Sequence, residues 1–206
     1  MCIRDSNIVI DTTPDFRFQA MREKLDRLDA VLYTHGHADH ILGLDAIRPY
    51  NLKQRSLVPL YSSMETQATL RKQFAYIFDD APTVSSMPGV EMHSIDGPFE
   101  LFGLKIIPVP ANHGPTSVLG FRFGKAAYLT DFSSVPESSK DLLRGLDDFR
   151  KAPWTTKLLG EDVKTRYADL KQASADRCPR QLGTFVKAPE VQFHHEVYNQ
   201  FLWNLF

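Results

Sequence analysis

The sequence predicts an α/β protein built as a four-layer αβ/βα sandwich. Short apolar runs typical of buried strands recur along the chain, and segments with helical spacing of apolar residues lie between several of them. Later in the chain, glycine-containing turns separate such runs into hairpins. The chain has 206 residues, of which 43% are hydrophobic and 24% are charged, so it can form one domain with a substantial buried core.

The N-terminal half is predicted to alternate strands and helices. The expected strands are residues 7–10, 30–34 and 58–61, and the expected helices are residues 14–28, 41–47 and 64–74. Thr13 and Pro14 have the character of an N-cap and a first helical residue, and Ser63 is a second candidate N-cap.

The following segment predicts two hairpins and a further helix. Residues 99–101 are expected to turn back into an apolar strand at 104–109, and residues 117–123 to pair with 125–130 across Gly124. Residues 136–146 have a helix-like pattern, as do the polar residues 163–173.

Three histidines and an aspartate occupy the segment 35–40, which reads His-Gly-His-Ala-Asp-His. Imidazole nitrogens and carboxylate oxygens are the ligands that zinc and similar metals prefer. His35 and His37 point to one side of an extended backbone, whereas Asp39 and His40 follow the turn into a helix and can face a second point. Such groups are costly to bury without partners, so the segment predicts ligands for two metal ions.

This segment resembles the motif of the metallo-β-lactamase fold hydrolases, and the resemblance extends over roughly residues 7–148. In that family another ligand histidine follows an apolar run, as His113 does here, and an aspartate ends a later strand, as Asp131 does. The resemblance implies a first metal held by His35, His37 and His113, and a second metal held by Asp39 and His40, with Asp131 as the bridge.

Shorter segments are similar to the branch of this family that includes phosphoribosyl cyclic phosphate phosphodiesterase. They are residues 10–17, 43–48, 113–115, 119–123 and 130–133. The branch implies a phosphodiesterase with two divalent metal ions, Zn²⁺ by preference and Mn²⁺ as the alternative, whose bridging hydroxide attacks phosphorus. Asp39 and Asp131 are then the expected catalytic residues, the first by orienting the water and the second by bridging the metals.

Four other residues are weighed against structural roles. Arg48 and Arg122 are considered as phosphate contacts, because guanidinium suits phosphate geometry, or as solvated surface residues. Asp11 follows the first strand and is expected to accept a hydrogen bond from a ligand instead of binding metal. His93 is expected to be structural.

The two ends of the chain depart from the family pattern. We expect residues 1–6 to be a non-native leader, residues 7–148 to be the hydrolase domain, and residues 149–206 to be a divergent or irregular segment without a buried strand. A frameshift or splice artefact is the alternative for that last segment. His194 and His195 are weighed as the missing seventh ligand, and no residue is identifiable as the general acid.

Composition narrows the classes of partner. The net charge of −1 and a pI near 6.7 argue against a strongly basic nucleic-acid surface. The chain contains no run of eighteen apolar residues, so no membrane-spanning helix is expected. Its two cysteines give no disulfide framework, so a reducing cytoplasm is expected. We expect a small phosphodiester or related substrate and no membrane partner; a nucleic-acid substrate and a homodimer are left open.

The sequence leaves open two alternatives to an active phosphodiesterase. One is a catalytically impaired metal-binding remnant that lacks the last ligand. The other is a thioesterase or lactamase-type hydrolase of the same fold.

Overall fold

A computed structural model describes residues 6–79 and 86–146, and the strands at 148–151, 185–188 and 191–194. The chain divides into two compact units, residues 1–96 with 184–206, and residues 97–183. Residues 1–5 of the predicted leader and the predicted helix at 163–173 lie outside the described residues. Within those residues, no helix has the length and apolar character needed to cross a membrane.

The described strands and helices alternate in the first half of the chain. The strands are β1 (Asn7–Ile10), β2 (Ala30–Leu32), β3 (Val58–Ser62), β4 (Val90–Ser94), β5 (Phe99–Leu101), β6 (Leu104–His113), β7 (Thr116–Phe123), β8 (Ala126–Leu129), β9 (Asp148–Lys151), β10 (Phe185–Ala188) and β11 (Val191–His194). The α-helices are α1 (Phe16–Arg22), α2 (Ala38–Ile41), α3 (Arg48–Gln54), α4 (Met64–Gln73), α5 (Ala75–Phe78) and α6 (Glu137–Lys140), with 3-10 helices at Leu44–Ile47 and Asp141–Leu143.

The first unit contains a six-stranded sheet in the order β10-β11-β1-β2-β3-β4. Strands β1 to β4 are parallel, so their carboxyl ends meet at one edge, where ligands bind in open α/β sheets. Helices cover a buried apolar core on this sheet. Its largest fully buried members include Tyr33, Leu28, Ile41, Leu44, Ile47, Leu60 and Leu70.

The second unit contains a five-stranded sheet in the order β5-β6-β7-β8-β9. Strands β5 to β8 form antiparallel pairs, which confirms both predicted hairpins. A second apolar cluster packs on this sheet, built from Val109, Ala111, Val118, Leu129 and Phe132 among others.

The start of the first helix differs from the prediction. Helix α1 begins at Phe16 with Asp15 in the N-cap position, so Thr13 is not its cap. Backbone bonds hold the β1–α1 loop elsewhere, because Thr12 N–H donates to His40 O and Gly43 N–H donates to Thr12 O, both at 2.8 Å. A Cβ at Gly43 would lie 1.9 Å from Thr13 O, so this close approach requires glycine. Ser63 does cap α4, because its side chain accepts from Thr66 N–H at 3.2 Å.

The structure describes two strands, β10 and β11, within the segment 149–206, which the sequence predicts to be divergent or irregular. Strand β11 pairs in parallel with β1, with His194 opposite Val9, and β10 pairs with β11. The sequence Val-Gln-Phe-His of β11 alternates apolar and polar residues, which is the period of a strand. The side chains of His194 and His195 lie outside the described residues.

Candidate metal centre

The predicted ligand segment lies where the chain leaves β2 and enters α2. His37 occupies the N-cap position of α2 with an extended backbone, so the chain turns between the pair His35/His37 and the pair Asp39/His40, as the sequence suggests. His35 and His40 are buried, at 1% and 7% exposure, whereas His37 is exposed. Gly36 allows close packing here, since a Cβ would lie 3.0 Å from the Thr69 side chain on α4.

His35 and His37 direct ring nitrogens at each other. Nε2 of His35 lies 2.9 Å from Nδ1 of His37. Two ligand atoms bound at 2.0–2.1 Å to a tetrahedral metal are about 3.3 Å apart. The spacing of this pair therefore fits two ligands of one divalent metal after a small adjustment.

A buried carboxylate orients the two buried histidines. Asp11, 3% exposed, accepts from Thr34 N–H at 2.8 Å, from Thr34 Oγ1–H at 2.8 Å and from His40 Nδ1 at 2.7 Å. Because the Thr34 hydroxyl donates to Asp11, its oxygen accepts from Nδ1 of His35, 3.0 Å away. Both histidines thereby carry the proton on Nδ1 and present Nε2 as a ligand atom. Asp11 therefore accepts a hydrogen bond from His40, a predicted ligand, as expected from the sequence.

Asp39 and His40 form the second predicted pair. Nε2 of His40 lies 3.6 Å from Oδ2 of Asp39, and 48% of the Asp39 side chain is exposed. A carboxylate and an imidazole at this spacing are chemically suited to one further divalent metal. The four predicted ligands of the first unit thus lie where the chain leaves β2 and in the short helix α2 that follows.

Beneath this loop lies a buried pair of hydroxyl groups. The phenol of Tyr33 is 2.7 Å from Thr12 Oγ1. Burial raises the pKa of Tyr33, with the Asp11 carboxylate adding to the effect and the hydrogen bond to Thr12 opposing it. Tyr33 therefore remains neutral and supports the loop without carrying charge.

The second unit places His113 and Asp131 at the ends of β6 and β8, the two strands that flank β7. His113 is the last residue of β6 and Asp131 follows β8 after Thr130; both are partly buried. Thr130 Oγ1 donates to Asp131 Oδ1 at 3.0 Å. Asp131 has a φ of +50°, a left-handed conformation that is uncommon outside glycine and that clusters at functional sites.

The remaining candidates have structural partners. Arg122 donates to the backbone oxygens of Gly124 and Arg144, and Arg48 donates to Ser86 O. His93 stacks on Tyr61 with ring centroids 4.7 Å apart, which agrees with the structural role expected for it.

Sequence reasoning did not single out Thr34 or Ser133. Thr34 links Asp11 to His35, and a hydroxyl residue directly before the first histidine was the available signal. Ser133 links the loop after Asp131 to the end of β6 by hydrogen bonds. No sequence pattern predicts these bonds, because the partners are backbone groups 19 to 21 residues away.

Comparison with known proteins identifies the family. The family model of the beta-lactamase superfamily domain matches residues 6–149. A crystal structure of a new diphosphatase from the PhnP family is similar to this chain, with 41% identity, a TM-score of 0.64, and coverage of 91% of this chain and 77% of that one. The zinc-bound PqqB of Methylobacterium extorquens shares the fold at 18% identity and a TM-score of 0.51, covering 69% of this chain and 55% of that chain.

Among curated proteins, an octanoyltransferase of Porphyromonas gingivalis (strain ATCC BAA-308 / W83) is 33% identical over 142 residues, or 66% of this chain. The match spans 28% of the length of that relative. These matches confirm the predicted αβ/βα sandwich and the predicted resemblance to the phosphodiesterase branch. The chain belongs to the beta-lactamase superfamily domain family and has the metallo-β-lactamase fold.

Proposed function

We propose that this protein is a phosphodiesterase that uses two divalent metal ions, with Zn²⁺ as the preferred metal and Mn²⁺ as the alternative. The observation that carries the proposal is the arrangement behind segment 35–40. One buried carboxylate, Asp11, fixes His40 directly and His35 through Thr34, so that both present Nε2. Hydrogen bonds that hold ligand histidines in one tautomer are the usual support of a metal site.

The ligand assignment follows the family pattern. His35, His37 and His113 are proposed to hold the first metal, and Asp39 and His40 the second, with Asp131 as the bridge. The pairs 35/37 and 39/40 support this assignment through their spacings of 2.9 Å and 3.6 Å.

The proposed substrate is a small phosphodiester or a diphosphate. Support comes from the PhnP-family diphosphatase, which is 41% identical. Two bound divalent metals would lower the pKa of a water and neutralise charge on a phosphoryl oxygen. Asp39, partly exposed beside His40, is the residue proposed to orient that water for in-line attack.

A second candidate is a hydrolase of thioesters. It is favoured by the 33% identity to an octanoyltransferase, an enzyme named for acyl transfer, although the match covers 28% of that protein. Thioester hydrolysis would use the same metal ligands but would place a carbonyl carbon at the point of attack.

The test combines metal content with a substrate panel. We expect the purified protein to bind about two divalent metals per chain and to hydrolyse bis(p-nitrophenyl) phosphate, with activity lost in chelator and restored by Zn²⁺ or Mn²⁺. Octanoyl-coenzyme A and a chromogenic cephalosporin serve as thioester and lactam substrates. His37→Ala should abolish hydrolysis, whereas His93→Ala, which alters a histidine stacked on Tyr61, should retain it.

Each outcome separates one hypothesis from the others. Faster turnover of the thioester than of the phosphodiester would support the second candidate. Metal binding without hydrolysis of any substrate would support the impaired remnant. A wild-type chain that binds no metal would overturn the proposal as a whole.

A further inference from the structure

A network of hydrogen bonds joins the two ligand-bearing ends in the second unit. The carbonyl of Asn112 accepts from Ser133 N–H at 2.6 Å, from the Ser133 hydroxyl at 3.0 Å and from Ser134 N–H at 3.2 Å. Asn112 in turn donates through its backbone N–H to Ser134 O at 2.9 Å and through Nδ2 to Ser134 Oγ at 3.0 Å. We call Asn112, Ser133 and Ser134 the clamp.

The clamp lies beside both predicted ligands of this unit. Asn112 directly precedes His113, and Ser133 is two residues after Asp131. On the other side of His113, Gly114 N–H donates to Ser133 Oγ at 3.1 Å. The hydroxyl of Ser133 therefore contacts the backbone on both sides of His113, through Asn112 O and Gly114 N.

Backbone conformation shows why this loop needs to be held. Asp131 has a φ of +50° and Gly114 a φ of +58°. A left-handed conformation is strained for a residue other than glycine and persists where surrounding contacts impose it. The clamp closes the turn that follows Asp131, since Ser133 and Ser134 are fixed to a strand end.

We propose that the clamp is a positioning device that fixes His113 and Asp131 relative to each other, so that the second unit offers them as one preformed pair of ligands. The inference rests on the proposed metal centre. Ser133 is the positioning residue with the clearest test, because its hydroxyl contributes two of these bonds while the residue itself is exposed. Loss of an exposed hydroxyl has little effect on folding, so effects on metal binding can be measured separately.

The experiment compares Ser133→Ala with Ser133→Thr, which retains the hydroxyl. Ser138→Ala is the control, because it removes the hydroxyl of an exposed serine outside the clamp, on α6. Metal per chain is measured at increasing chelator concentrations, and the Co²⁺-substituted proteins are compared by visible absorption. Since changes behind a ligand weaken metal binding by about 10- to 100-fold, Ser133→Ala should release both metals at roughly tenfold lower chelator and change the Co²⁺ spectrum. Ser133→Thr should restore both, and the melting temperature of the metal-free protein should be unchanged in all three variants.

The possible failures are distinguishable. If the wild type binds no metal or hydrolyses no substrate, the proposed function fails, whatever the variants do. If the wild type binds two metals and hydrolyses the phosphodiester but Ser133→Ala has the same chelator curve and spectrum, the clamp proposal is overturned. It is equally overturned if Ser133→Thr is as impaired as Ser133→Ala, or if metal-free Ser133→Ala melts well below the wild type.

Discussion

The two units hold their predicted metal ligands by different physical means. In the first unit, the buried carboxylate of Asp11 receives three hydrogen bonds from Thr34 and His40. In the second unit, exposed Ser133 and backbone groups hold the ends that carry His113 and Asp131. Each unit has an aspartate in a left-handed conformation directly after or near a strand, with φ of +60° at Asp11 and +50° at Asp131.

This difference separates two kinds of consequence. A buried donor that loses its acceptor costs about 1–3 kcal/mol, because water cannot replace the partner. An exposed donor finds water instead, so its loss changes geometry more than stability. Substitutions of the buried groups of the first unit should therefore affect folding and metal binding together, whereas loss of the exposed Ser133 hydroxyl in the second unit should mainly affect metal binding.

The largest effect is expected for Asp11→Ala. The substitution leaves Thr34 N–H and His40 Nδ1 without their acceptor, so the free energy of unfolding of the metal-free protein should fall by about 2–4 kcal/mol. Both metals should also be lost, since neither His35 nor His40 keeps its orientation. Urea denaturation and metal analysis measure the two effects.

The matched control for Asp11 is Asp15→Ala on the same loop. Asp15 is exposed and its side chain makes no cap hydrogen bond, so the change should cost less than about 0.5 kcal/mol. An Asp11→Ala protein with normal stability and full metal content would show that the buried carboxylate does not organise the site.

His35→Ala and His37→Ala should have equal effects on the first metal but unequal effects on folding. Each removes one of two facing ring nitrogens, so the first metal and hydrolysis should be lost in both. His35 is buried while His37 is exposed, so metal-free His35→Ala should be destabilised by about 1–3 kcal/mol and metal-free His37→Ala hardly at all. Equal unfolding curves for the two variants would contradict this contrast.

Asp131→Ala and Asp131→Gly test the bridge against a structural role. Asp131 does not cap the following helix, because α6 begins at Glu137 with Pro136 in the N-cap position. Both variants should lose hydrolysis. Because glycine accepts a positive φ without strain, metal-free Asp131→Gly should be as stable as the wild type or more stable by up to about 1 kcal/mol. Full activity in either variant would rule out the bridging role.

The sequence predicted the parts of the site that depend on local order. Segment 35–40 and the strands before it could be read directly, because ligand type and alternation are local properties. Asp11 was predicted as a hydrogen-bond partner of a ligand, since it follows the first strand. The clamp was not predicted, because it depends on the register that sets Asn112 against Ser134.

The fold was predicted less well where packing overrides local preference. Thr13 and Pro14 are residue types that favour a helix start. However, the hydrogen bond from Gly43 N–H to Thr12 O holds this loop in another conformation, and the helix begins at Phe16. The strand β11 was missed because its four residues alternate without an apolar run, and the pairing with β1 is a long-range choice that no local pattern contains.

The smallest and most specific effect is expected for Thr34→Val. Valine has nearly the shape of threonine but lacks the hydroxyl that donates to Asp11 and accepts from Nδ1 of His35. His40 keeps its own bond to Asp11, and Thr34 N–H remains. The first metal should therefore bind about tenfold more weakly while the second is less affected, with about 1 kcal/mol lost in stability.

Thr34→Ser is the matched control, because it retains the hydroxyl and removes a methyl group. Chelator titration of the Co²⁺-substituted proteins should show the first metal leaving early in Thr34→Val and at the wild-type position in Thr34→Ser. Equal weakening of both metals in Thr34→Val would mean that Asp11 acts as one anchor for the whole loop, and that the separate path through Thr34 has no role of its own. Thr34→Val and Ser133→Ala can then be compared directly. Loss of the buried Thr34 hydroxyl should weaken binding of the first metal, whereas loss of the exposed Ser133 hydroxyl should weaken binding of both.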